Sequence, residues 1–160
     1  MSTTLTGTTS AARILNEGYG TGAWHGPDLK AALTGISSDD AFWRPGEDRH
    51  NIAEIAVHHA YCAHNVRAKL ADAIEPFPIE GDDWFDLSQR SWPAILELVE
   101  REQQQLAAAA DVDEGRSASP LAAAERFDLV LGITCHAVYH AGQIQLIKVL
   151  LAATRSSPEI

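Results

Sequence analysis

The sequence predicts an all-α fold: a four-helix bundle with a broken first helix and a long crossover loop. Three observations carry that reading. Long segments are rich in alanine and leucine, both good helix formers. The segment from Phe127 to Ala152 has the apolar periodicity of a long buried helix. No segment reads convincingly as a strand; the stretches between the helical patterns carry proline, glycine and acidic residues instead.

The elements follow in order. Ser10 to Gly18 forms the first helical piece, and Gly18, Gly20 and Gly22 interrupt it. A second piece is expected from Pro27, a residue suited to a first turn, to about Gly35. Ser38 to Trp43 reads as a short capped turn of helix closed by Pro45. Asn51 followed by Glu54 has the pattern of an N-cap with a capping box, so a long helix is expected over about 51–73, ending before Pro76 and Pro78. The stretch Glu75 to Asp86, with two prolines, Gly81 and five acidic residues, is the crossover loop. The next helix is expected from Ser88 or Ser91 to Ala110, with Pro93 tolerated because it falls in the first turns. Asp111 to Pro120 is a polar loop, and the last helix runs from about Ala124 to Ala153. Residues 1–9 and 155–160 are expected to be loose tails of one domain spanning 1–160.

Composition excludes several function classes. A chain of 160 residues, 46% hydrophobic and 21% charged, is the size of one globular domain with a real core. No run approaches the roughly 18–20 apolar residues that span a bilayer, so no membrane partner is expected. The opening residues Met1 to Thr9 lack the basic and apolar regions of a signal peptide. Cys62 and Cys135 cannot build a disulfide framework. A cytoplasmic location is expected. With 12 basic against 22 acidic residues and a net charge of −10, no nucleic-acid partner is expected, because phosphate affinity comes chiefly from Lys and Arg displacing counterions.

The chemistry-bearing motif is His136-Ala-Val-Tyr-His140-Ala-Gly-Gln143. Two histidines four residues apart on a helix project from one face, with Cβ atoms about 5–6 Å apart, so both imidazoles can reach one metal ion. The alternative is a pair of hydrogen-bonded core histidines, and a metal reading needs a third ligand. His58 is the candidate, on one stripe with Glu54 a turn earlier and Cys62 a turn later. Catalytic zinc sites commonly use three protein ligands and leave a fourth position open. With Cys62 the set would instead be a closed, structural one.

Other residues are assigned around that set. Glu54 has two readings, a helix cap and a partner to His58, and the cap is favoured. Gln143 lies on the His136 stripe and is expected to bond across to another helix; Tyr139 is placed to donate to a bound ligand. His59 is rotated about 100° from His58 and is expected behind the ligands or at the surface. His64 is expected in solvent, His50 in a local hydrogen bond, and His25 in the glycine-rich break. Trp24, Trp43, Trp84 and Trp92 are expected mostly in the core or pocket wall. No residue is assigned as a catalytic acid or base.

The run His50-Asn51-Ile52-Ala53-Glu54-Ile55-Ala56-Val57-His58, followed far downstream by His136-Ala-Val-Tyr139-His140-Ala-Gly142-Gln143-Ile144, resembles the DinB-like metal-binding proteins. Trp24-His25-Gly26-Pro27 and Ala41-Phe42-Trp43-Arg44-Pro45 are similar to the N-terminal part of one branch. The resemblance covers roughly residues 10–152. It implies a four-helix bundle holding a divalent metal through His58, His136 and His140. It leaves substrate open, since members include suspected hydrolases and thiol-dependent transferases or isomerases. Cys135 stands where many relatives carry another histidine. The metal expected is Zn²⁺, with Ni²⁺, Mn²⁺ or Fe²⁺ also suited to imidazole. Two chemistries follow: bound water attacking an electrophile, or a low-molecular-weight thiol acting as nucleophile. A non-enzymatic, metal-stabilised binding or dimerisation module is the third reading. A homodimer is expected because Leu146 to Leu151 is apolar nearly all round.

Overall fold

The computed structural model describes residues 9–20, 22–72, 74–112 and 119–156. Among the described residues every regular element is a helix: α1 (Ser10–Gly18), α2 (Leu29–Leu33), α3 (Ser38–Phe42), α4 (Ile52–Ala71), α5 (Trp92–Ala110) and α6 (Ala123–Ser156). The all-α class is therefore the one found. The polar loop over 113–118 and the tails at 1–8 and 157–160 lie outside the described residues.

Local chemistry explains where the helices start. Helices α1 to α5 each open on a side chain that accepts a first-turn N–H: Thr9, Asp28, Ser37, Asn51 and Ser91. Each such cap satisfies a donor that the helix cannot pair internally and contributes about 1 kcal/mol. At α4 the capping box is complete, with Asn51 Oδ1 accepting from the Glu54 amide at 2.8 Å and Glu54 accepting from the Asn51 amide at 3.1 Å. Pro93 falls in the first turn of α5, where its missing N–H costs nothing.

Two boundaries differ from expectation. Pro27 does not start α2: the buried Asp28 carboxylate caps Ala31 at 3.0 Å and sets the start at Leu29. Arg155 is not in a loose tail either. Helix α6 continues to Ser156, and Arg155 pairs with Asp40 of α3.

The four longest elements are linked in a closed cycle, α1 against α6, α6 against α4, α4 against α5, and α5 against α1. Helix α2 packs on α6, and α3 on α4 and α5. The core has two parts. One gathers Ile52, Ile55 and Val57 of α4, Ile95 and Val99 of α5, Ile144 of α6 and Leu29 of α2. The other joins Leu15, Leu70, Leu106, Val130 and Ile133. Gly18 lets α1 approach α6: a Cβ there would sit 3.0 Å from both Ala137 Cβ and the Thr134 carbonyl oxygen. That contact brings α1 against the turn of α6 that carries His136. No described helix is both long and apolar enough to cross a membrane.

Candidate metal centre

Helices α4 and α6 each contribute from their interiors, so the site rests on rigid backbone. His58 lies in the second turn of α4, and His136 and His140 lie one turn apart on α6. Their ring centroids are 5.1 Å (His58–His136), 5.1 Å (His58–His140) and 4.3 Å (His136–His140) apart. One nitrogen from each of the three lies within 4.8 Å of the others. The Nε2 atoms of His136 and His140 are buried and have no hydrogen-bond partner among the described residues. Leaving such atoms unpaired costs about 1–3 kcal/mol each. A cation between the rings would satisfy them, so the residues present fit a metal ion.

Electrostatics keep the His136 and His140 rings neutral, the form that can bind metal. Burial, reinforced by the neighbouring imidazoles of His140 and His58, pushes His136 down to about 4. Burial likewise lowers His140, against a hydrogen bond to Gln143 that works the other way. A neutral imidazole keeps one nitrogen lone pair for a metal. His140 Nδ1 is 2.6 Å from Gln143 Oε1, and Gln143 Nε2 donates to the Tyr139 hydroxyl at 3.0 Å. With the amide nitrogen so engaged, its oxygen faces the ring; Nδ1–H donates, and the lone pair falls on Nε2. Gln143 therefore supports His140 within its own helix instead of bonding across to another, because residues three apart on a helix are neighbours. Tyr139, 63% exposed, stands at the rim of the site.

Glu54 serves the cap. Its oxygens are engaged by the Asn51 amide, Arg44 and His50. Burial opposes its ionisation, but Arg44 and the Asn51 amide outweigh that and hold it below the usual carboxylate range. Cys62 Sγ lies 3.8 Å from His58 Nε2, and burial, followed by the charge of Asp83, pushes its thiol up to about 11. His58, Cys62 and Asp83 form a second group of ligand-type side chains within reach of one ion. His50 makes the local bond expected, to Glu54 at 3.2 Å. His25 faces the Glu17 carbonyl at 2.7 Å and does not line the cavity described below.

Two expectations, those for His64 and Trp24, are corrected, and the two alternatives for His59 are decided. His64 is buried, with Nδ1 at 3.2 Å from both Glu102 Oε2 and Arg67 Nη2. His59 is buried too, its ring 5.6 Å from that of His136 and tilted by 20°; burial, helped by His136, pushes it down to about 3. His59 thus lies behind the ligands and not at the surface, and His64 is buried for the same reason: α4 is covered by α5 as well as α6, so turning away from His58 leads into another helix, not into water. Trp24 is 88% exposed, whereas Trp92 is core and Trp84 is pocket wall.

Two neighbours of the site come from the crossover loop: Trp84, expected in the core or pocket wall, and Asp83, which was not singled out from sequence. The Asp83 carboxylate is 2.9 Å from His58 Nδ1. The Trp84 indole is sandwiched between His58 and His50, with centroids 4.3 and 3.5 Å away and planes within 7° and 5° of parallel. The only local signal was a tryptophan amid the acidic residues of a proline-bounded loop. The three histidines and this loop open onto a cavity of about 830 Å³, whose walls include Arg49, Tyr139, Leu146, Ile147 and Leu150. That volume suits a small molecule.

An all-helical fold with three imidazoles converging beneath an open cavity defines a helical protein with a candidate metal-binding site. Residues 23–144 match the family model of the DinB superfamily, and the chain belongs to that superfamily. The matched range includes His58, His136 and His140. No curated protein and no solved structure matches the chain.

Proposed function

We propose that this protein is a metal-dependent enzyme of the hydrolase type, which holds one divalent ion through His58, His136 and His140 and acts on a small molecule. Zn²⁺ is the first choice, and Ni²⁺, Mn²⁺ and Fe²⁺ are the others that imidazole suits. The observation that carries the reading is the pair of buried Nε2 atoms on His136 and His140, without a hydrogen-bond partner among the described residues and grouped with His58 in the wall of an open cavity. When bound, such an ion supplies Lewis acidity, activating a water for hydrolysis or a thiol for transfer.

The chain's own residues do the rest. Three neutral imidazoles add no negative charge, so they leave the cation's charge undiminished. Gln143 holds the His140 ring in place. Trp84, Leu146 and Leu150 give the cavity an apolar wall, and Arg49 offers a positive group beside it. The same proposal treats 1–160 as one cytoplasmic domain that works as a homodimer.

Metal analysis of protein purified without a histidine tag tests the ligand set. Near-stoichiometric metal is expected in the wild type and a loss of most of it in His58→Ala, His136→Ala and His140→Ala. Cys62→Ser and His25→Ala should keep their metal. Full occupancy in all three histidine variants overturns the assignment. Thiol added to the cobalt-substituted protein separates the two chemistries: a new near-ultraviolet sulfur–cobalt band favours transfer, and its absence with turnover of ester or amide substrates favours hydrolysis.

A further inference from the structure

We propose that Asp83 is a positioning residue: it holds His58 as an Nε2 ligand and so makes metal affinity depend on the crossover loop. The inference rests on the three-histidine reading above and adds a residue to it.

His58 Nδ1 meets two acceptors of the same residue, the Asp83 carboxylate at 2.9 Å and the Asp83 backbone carbonyl at 3.2 Å. A carbonyl oxygen only accepts, so Nδ1 carries the hydrogen and donates it. A neutral imidazole has a single N–H, which leaves the lone pair on Nε2. A carboxylate behind a metal-bound histidine fixes the ring's tautomer and orientation and raises its basicity. Here the carboxylate arrives from a position 25 residues further along the chain.

The loop is shaped to present this group. Asp83 has φ +67°, a left-handed conformation that aspartate adopts several-fold more often than most residues. Directly after it, the Trp84 amide donates to the Asp82 carbonyl at 2.7 Å. The Trp84 indole is then clamped between His50 and His58. His50 is itself bonded to Glu54, so the clamp stands on the capped first turns of α4. The Nδ1 edge and one face of the His58 ring are thus held by two successive loop residues, one polar and one aromatic.

Chelator competition with Zn²⁺ on the full-length protein tests the proposal. Asp83→Ala should bind about 10–100-fold more weakly than the wild type. Asp83→Asn, which keeps an acceptor and loses the charge, should fall between them. Thermal unfolding of the metal-free variants, matching the wild type, shows that the fold is intact. Nitrogen-15 NMR of metal-free wild type should find the His58 hydrogen on Nδ1, and Asp83→Ala should move population to the Nε2–H tautomer. Equal affinity in wild type and Asp83→Ala, or an Nε2–H tautomer in the wild type, overturns the role of Asp83 alone. A wild type that binds no metal overturns the three-histidine reading and this inference with it.

Discussion

At the residue scale, the behaviour of the site is governed by imidazoles kept neutral by burial. His136 sits at about 4 and His59, beside it, at about 3. In an unfolded chain both would titrate at about 6.5. Between those values the unfolded state binds more protons than the folded one, so stability rises with pH there. The contribution is therefore complete above pH ~6.5 and is lost as pH falls toward about 4. Metal-free protein is expected to show a melting temperature that drops steadily from about pH 7 to about pH 5, before ordinary carboxylates titrate. His59→Gln should flatten that slope. A midpoint that stays constant over the same range would contradict the burial argument.

Helix α1 shows how one contact between elements aligns the site. Alanine is the better helix former by up to ~1 kcal/mol, so on propensity alone Gly18→Ala stabilises. The structure reverses the sign. The added methyl would meet the Thr134 carbonyl and Ala137 at 3.0 Å, and backbone cannot yield cheaply; crowding of this kind costs roughly 1–3 kcal/mol. Urea unfolding should find Gly18→Ala destabilised, and a gain in stability would mean that α1 does not press on α6. The cap at Asn51 was legible because a capping box is a local pattern of hydrogen bonds, whereas the structure assigns the caps of α3 and α5 to Ser37 and Ser91. The start of α2 was not legible, because Pro27 and Asp28 both suit a helix opening and only the bond to Ala31 decides between them.

On the scale of the whole molecule, α6 has more apolar surface than the other described residues cover. Ile147 and Leu151 are buried, but Phe127, Leu131, Leu146, Val149 and Leu150 stand exposed along its outer side. Contiguous apolar patches beyond about 300–600 Å² are uncommon on monomers and mark interaction surfaces. Light scattering of the wild type is expected to give the mass of a dimer at micromolar concentration. Val149→Glu, placed at a position that is 65% exposed and outside the cavity wall, should give the mass of a monomer with its helicity unchanged. A monomeric wild type would refute the homodimer.

The sequence alone determined the helical class and the common location of His58, His136 and His140. Short-range geometry puts His136 and His140 on one face through the 3.6-residue period and His58 two turns into α4 behind a capped start, and the family resemblance implied that the three share one place. Tertiary structure alone decided what surrounds them. Asp83 and Trp84 reach His58 through a loop whose backbone turns left-handed at Asp83, and a contact across 25 residues leaves no periodic trace. His59 and His64 are buried because α5 covers the side of α4 turned away from His58. Helical period tells which residues share a face; which faces meet water depends on the packing of neighbouring helices, and that belongs to the assembled chain.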